Sequence, residues 1–96
     1  MLEIIETITY WRWFESLRDR QARFRVEARL RRVQRGNPGD FRAVGGGVLE
    51  LRIDYGPGYR VYFVQRGQKL VILLAGGDKR TQDQDIQIAL ELARNV

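Results

Sequence analysis

The sequence contains no cysteine and no histidine, and only one methionine and two prolines occur among its 96 residues. Without these side chains there is no disulfide scaffold, no Cys/His zinc site, no thiol nucleophile and no histidine general base. The scattered carboxylates also lack the spacing of a metal-binding loop. We therefore expect neither a metal ion nor a small-molecule cofactor.

Long apolar segments are also missing. The longest unbroken run, 70–75, has six residues, whereas a membrane-spanning helix needs about 20. The first residues lack a basic segment followed by an apolar one, so they do not resemble a secretory signal. We expect a single cytoplasmic domain over residues 1–96 with no membrane association.

Acidic residues are in the minority. Lysine and arginine together number 17 and aspartate and glutamate 12, which gives a net charge of +5. This excess favours a polyanionic partner, without choosing among DNA, RNA and an acidic protein. The 44% hydrophobic share beside 30% charged residues is typical of a globular chain.

The hydrophobic pattern predicts an α+β fold with the order β-α-α-β-β-β-α. Hairpins join the last three strands, which makes the twisted sheet mainly antiparallel, and the helices are expected on one face. Residues 36–47 are expected to form a glycine-rich loop. In chain order, the predicted elements are a strand at 2–9, helices at 10–18 and 20–35, strands at 48–54, 59–65 and 69–75, and a helix from residue 81.

Several single residues carry local predictions. Asp19 is the expected N-cap of the second helix, and Thr81 begins a Thr-x-x-Gln sequence typical of a capping box. Phe24 lies opposite the apolar stripe of the second helix, so we expect its side chain to be exposed. Trp11 and Trp13 are expected to be core or helix-packing residues.

Strict alternation in the strands at 48–54 and 59–65 places polar side chains on one face of the sheet. Arg52 and Arg60 fall on this face of neighbouring antiparallel strands, together with Tyr62, Glu50 and Asp54. Guanidinium groups bind phosphate in a bidentate manner, and a tyrosine ring can stack on a base. The face therefore suits a phosphodiester backbone. The alternative is a solvated face whose arginines only form cross-strand ion pairs.

Further candidates lie beside this face and on two helices. Arg42 occurs in the loop that enters the sheet, and Lys79 occurs in the loop that leaves the central strand. Ile88 and Leu92 lie outside the core-facing stripe of the last helix. With the exposed Phe24, they are the candidate contacts for a protein partner, which an acidic or amphipathic segment would fit.

Five motifs follow one another along the chain: 36–40 (GNPGD), 47–52 (GVLELR), 55–63 (YGPGYRVYF), 76–79 (GGDK), and Thr81-Gln82 with Asp85-Ile86. This series resembles the phage-derived, Gp49-like branch of the RelE/HigB toxin superfamily over nearly the whole chain. The resemblance implies the RelE/ParE-like fold and a type II toxin that enters the ribosomal A site and cleaves mRNA. It also implies an antitoxin with a helix-turn-helix, which neutralises the toxin.

Matching the family motifs assigns the catalytic roles to Arg52, Arg60 and Lys79. In the implied metal-independent reaction, the RNA 2′-OH attacks the adjacent phosphate and leaves a 2′,3′-cyclic phosphate and a 5′-OH. The two arginines would neutralise the phosphate, and Lys79 would transfer a proton or clamp the phosphate. Glu50 or Asp54 would act as base or orient the arginines. The candidate RNA contacts are Arg42, Glu50 and Tyr62, and the candidate antitoxin contacts are Phe24, Ile88 and Leu92.

Two other functions fit the same sequence. The superfamily includes ParE-like toxins that inhibit DNA gyrase without cleaving RNA. A plain nucleic-acid-binding module is also consistent with the basic residues, and it would bind free DNA or RNA with a steep dependence on salt.

Overall fold

The computed structural model describes residues 1–96 as three α-helices, a short 3-10 turn and a five-stranded mixed sheet. The predicted α+β class is confirmed, with one strand more than expected. No helix combines the length and the apolar character that crossing a membrane requires. The elements are β1 (Glu3–Glu6), α1 (Ile8–Ser16), α2 (Arg20–Gln34), β2 (Phe41–Gly45), β3 (Val48–Ile53), β4 (Tyr59–Arg66), β5 (Leu70–Gly77), the 3-10 turn (Lys79–Thr81) and α3 (Gln82–Ala93).

The strands are arranged in the order β1-β5-β4-β3-β2. β1 runs parallel to β5, and every other neighbouring pair is antiparallel, so the mainly antiparallel sheet is confirmed. The additional strand β2 falls where a loop was expected. The sequence pattern does not reveal β2 because the strand is short and ends in the glycine run Gly45, Gly46 and Gly47. These glycines all have positive φ and form the turn to β3.

The helices cover both faces of the sheet, so the prediction of helices on one face is wrong. α1 and α2 pack over a core that includes Val61, Phe63 and Leu73, whereas Val64 and Leu74 point to the opposite face and pack under α3. β4 and β5 thus present apolar side chains on both faces, and both faces require cover.

The two predicted helix N-terminal caps differ in their outcome. The N-cap is confirmed, since the Asp19 carboxylate accepts hydrogen bonds from the backbone N–H groups of Gln21 and Ala22 at 2.9 and 3.3 Å. The capping box is wrong, because the Thr81 hydroxyl donates instead to the Asp85 carboxylate at 2.6 Å and caps no backbone group.

The two tryptophans of α1 have different surroundings. Trp13 is half-buried and packs against the backbone of Gly76, where a Cβ atom would overlap the indole ring. Trp11 is 47% exposed, so it does not lie in the core. The helix is only nine residues long and buries one side, which holds Tyr10 and Trp13 against the sheet.

Candidate functional site

The three residues predicted to be catalytic lie around one open cleft of about 440 Å³. Arg52 on β3 and Arg60 on β4 are directly paired across the two antiparallel strands. Lys79 is the first residue of the 3-10 turn after β5. The structure thus brings these three side chains together. Asp40 and Asp54 complete the charged lining of the cleft.

Arg52 is held at the mouth of the cleft by a carboxylate. Its Nη2 and Nε atoms donate to Oδ1 of Asp40 at 2.7 and 3.2 Å. Both side chains remain partly open to solvent, with 40% of Arg52 and 57% of Asp40 exposed. The backbone N–H of Arg52 also donates to the Asp40 carbonyl oxygen at 3.0 Å. The guanidinium is therefore oriented, but it is still accessible to a ligand.

Arg60 is more deeply placed. The residue is only 9% exposed, and its Nη1 donates to the Gly58 carbonyl oxygen at 2.6 Å. Its Nε lies 3.7 Å from a carboxylate oxygen of Glu50, and this buried Nε has no hydrogen-bond partner. Part of the donor capacity of Arg60 is thus unused.

Gly58 allows the cationic groups to approach each other. Its φ is +82°, a conformation that favours glycine. A Cβ atom at this position would also lie 3.0 Å from Cε of Lys79 and 3.1 Å from Nη1 of Arg60. The hairpin between β3 and β4 therefore shapes the cleft through a residue without a side chain.

Glu50 lies under α3 and is fully buried. Its carboxylate accepts hydrogen bonds from Arg42 Nε at 2.7 Å, and from the Tyr62 hydroxyl and Gln82 Nε2 at 2.9 Å each. Burial alone would raise the pKa of Glu50, but these hydrogen bonds outweigh burial and lower that pKa below its usual value. The group is an internal anion that fixes the start of α3 to the sheet.

This network corrects two predicted RNA contacts. Tyr62 is fully buried, so its ring cannot stack on a base. Burial, followed by the bond to Glu50, also raises the pKa of Tyr62, which keeps its hydroxyl a hydrogen-bond donor. Glu50 is equally inaccessible to RNA and cannot serve as a base. Arg42 is about half exposed but pairs with Glu50 outside the cleft. The cause is α3, which covers this part of the polar face.

Arg29, which the sequence pattern did not single out, supports the cleft without lining it. From α2 it donates to the carbonyl oxygens of Arg52 and Pro38, and to that of Asp40 at 3.0 Å. It thereby joins β3 to the loop that carries Asp40. Burial lowers the pKa of Arg29 from its usual value, with the nearby Arg32 adding to the effect. A sequence signal existed, because residue 29 follows Ala22 by seven positions and so falls on the apolar side of α2.

The predicted partner contacts are not brought together. Phe24 is 61% exposed on α2, which confirms its expected exposure. Ile88 and Leu92 lie on α3 at the other face of the sheet, where both are half-buried against the second core cluster. A single partner helix therefore does not cover all three.

Comparison with known proteins places this geometry in a family. Residues 12–94 match the model of the phage-derived Gp49-like proteins (DUF891), and the chain belongs to that family. The family is associated with toxins of toxin–antitoxin systems, which implies an antitoxin partner. An uncharacterized protein of Haemophilus influenzae strain Rd is 46% identical over 95 residues, which is 99% of this chain and 96% of the relative.

Proposed function

We propose that this chain is a type II toxin that cleaves mRNA, and that the cleft between β3, β4 and the turn after β5 is its active site. The observation that supports this proposal is the direct pairing of Arg52 and Arg60, with Lys79 beside them. Like charges opposite each other on paired strands are destabilising. A phosphate bound between the two guanidinium groups removes that cost and uses their free donors.

The reaction is a transesterification within the RNA. The 2′-oxygen loses its proton and bonds to the adjacent phosphorus, and the bond from phosphorus to the 5′-oxygen breaks as that oxygen gains a proton. Arg52 and Arg60 stabilise the charge on the pentacoordinate phosphate. Lys79 is exposed and has no ion-pair partner, so it is the proposed donor to the leaving oxygen. Asp54, exposed at the cleft, is the proposed base, since Glu50 is buried.

Cleavage is proposed to occur on the ribosome. The cleft is open, and the chain supplies no histidine to accept the 2′-OH proton. A carboxylate in solvent is a weak base for this step, so free RNA is expected to react slowly. A ribosome that holds the mRNA in an in-line conformation would supply the missing orientation.

The test is induced expression in a bacterial host, followed within minutes by primer extension on a reporter mRNA. The wild type is compared with Arg52→Ala and Arg60→Lys, and with Arg31→Ala, which removes an exposed arginine of α2 outside the cleft. We expect cuts inside translated codons for the wild type and Arg31→Ala, and their loss in the cleft variants. Circular dichroism establishes that each variant is folded.

Other outcomes assign other functions. Growth arrest with intact mRNA in the wild type would refute cleavage and favour a gyrase inhibitor. Cleavage that persists in both Arg52→Ala and Arg60→Lys would refute the proposed site. Steeply salt-dependent binding to free duplex DNA or RNA, without growth arrest, would favour a plain binding module.

We propose that an antitoxin of the helix-turn-helix type contacts the outer side of α3. Ile88 and Leu92 are four residues apart and so lie on one side of the helix. Both are only half-buried, which leaves apolar surface for a partner. Helix-in-groove packing by an amphipathic segment uses apolar positions at this spacing.

A further inference from the structure

A second groove, of about 470 Å³, runs along α2 on the α1–α2 side of the sheet. Its lining includes Phe24, Arg25 and Arg32 from α2, and Ile53 and Asp54 at the end of β3. The groove combines an exposed aromatic ring with arginines. Neither the proposed reaction nor the proposed α3 contact uses it.

The positive charge of α2 is not neutralised within the chain. The helix contains six arginines and one acidic residue, Glu27. None of these side chains takes part in an ion pair, although Glu27 and Arg31 have the spacing that would allow one. The groove thus carries charge that is available to an anionic ligand.

Two side chains of the groove are suited to nucleotides. Phe24 is 61% exposed, so its ring is open to a planar partner. The Arg25 guanidinium lies 4.7 Å from the centre of the Tyr55 ring, and the Tyr55 hydroxyl is fixed by a 2.7 Å hydrogen bond to Asp19. Arg25 is therefore oriented before any ligand binds. Exposed aromatic rings between basic residues are the usual platform for single-stranded nucleic acid.

The groove adjoins the cleft, because Ile53 and Asp54 contribute to the lining of both. An RNA strand is a polymer, so a strand with one phosphate between Arg52 and Arg60 must leave the cleft along some path. The path over Ile53 leads onto α2. The Asp54 carboxylate at the junction disfavours a phosphate there and favours an amino or hydroxyl group of the nucleotide.

We propose that this groove binds the nucleotides that flank the reacting phosphate on the same RNA strand. In this arrangement Phe24 stacks on a base, and Arg25 and Arg32 contact backbone phosphates. The inference rests on the proposed function, since it takes RNA as the substrate of the cleft. An acidic peptide of a protein partner is the competing occupant.

The test measures binding of fluorescent 2′-O-methyl RNA by anisotropy, because this probe has no free 2′-OH and cannot be cleaved. A single strand of about 12 nucleotides spans cleft and groove on the scale of known single-strand sites, and a dinucleotide fills the cleft alone. We expect Phe24→Ala to weaken binding of the long strand about ten-fold and to leave the dinucleotide unaffected. The matched control is Phe41→Ala, which removes an exposed ring of β2 away from the groove.

A second pair of variants tests the charges. Arg32→Ala should lower the salt dependence of long-strand binding by about one phosphate contact, whereas its neighbour Arg31→Ala, outside the groove, should lower it less.

If the wild type binds the long strand through Arg52 while Phe24→Ala and Phe41→Ala bind equally well, the groove inference is overturned and the proposed function stands. If the wild type binds no RNA at all, the groove inference is overturned, and the proposed function is decided separately by primer extension on the reporter mRNA. If Phe24→Ala weakens only the complex with the antitoxin, the groove belongs to the protein partner and the inference is overturned.

Discussion

Replacing Arg29 is expected to destabilise the fold and to disturb the cleft, although Arg29 does not line that cleft. The side chain donates hydrogen bonds to three carbonyl oxygens, which belong to Pro38, Asp40 and Arg52. The Asp40 oxygen keeps a second donor, the backbone N–H of Arg52. The substitution Arg29→Met preserves the length of the stem and the helix propensity, so it removes chiefly these contacts.

The magnitude follows from the two oxygens that lose the donor. A hydrogen bond from a charged group contributes about 1.5–3 kcal/mol, and the low end applies at this partly exposed position. The expected loss is therefore about 3 kcal/mol, which for a domain of this size corresponds to a fall in Tm of roughly 12–24 °C. Arg31→Met is the control, because Arg31 is exposed on the same helix and should change stability by less than about 0.5 kcal/mol.

The assay is urea unfolding followed by circular dichroism, with the slope of the transition compared between variants. Arg29→Lys provides an intermediate case, since a lysine keeps the charge but not the planar array of donors. If Arg29 also positions Arg52, mRNA cleavage by Arg29→Met should fall at temperatures where the variant is still folded. Equal unfolding curves for the Arg29→Met and Arg31→Met variants would refute the reasoning.

Three further predictions concern other parts of the molecule. Glu50→Gln should lower the free energy of unfolding at neutral pH. Because the folded-state pKa of Glu50 is lowered, the difference in stability between wild type and variant should shrink as the pH falls through that pKa. A difference that does not depend on pH would show that the charge of Glu50 is not its cause. Gly58→Ala should destabilise the fold more than Gly36→Ala and should reduce mRNA cleavage. Both glycines have positive φ, but only at Gly58 would the added methyl carbon lie 3.0 Å from Lys79. Equal losses of stability in thermal denaturation would exclude this contact as a cause. Leu92→Asp should weaken the antitoxin complex in calorimetry while costing some stability, and an unchanged affinity would remove α3 from the interface.

The central strands were predictable because their side chains alternate. The pattern of β3 and β4 placed Arg52 and Arg60 on one face of neighbouring strands, and the structure pairs them. Asp19 and Phe24 also followed from local rules for caps and helix faces. These features depend on residues close in sequence, which is the range over which periodicity carries information.

The position of α3 over the polar face of the sheet was not predictable in the same way. Glu50 and Tyr62 have the alternation of an exposed face, yet both are buried. Their burial is stable because Arg42 and Gln82, distant in sequence, satisfy the carboxylate. Binary patterning treats each polar residue as exposed and cannot register a set of polar groups that satisfy one another. The wrong prediction that α3 lies on the same face of the sheet as α1 and α2 has the same origin.

The pairing of Arg52 with Arg60 has a consequence for the evolution of the chain. A site that sets two cations opposite each other lowers the stability of the empty protein, so substitutions that remove one arginine can make the fold more robust. Purification or selection for stability alone would then favour inactive copies. An anion such as sulfate that bound the folded chain between these groups would mask the difference by raising the stability of the intact site. A stable variant of this protein is thus not evidence of a functional one.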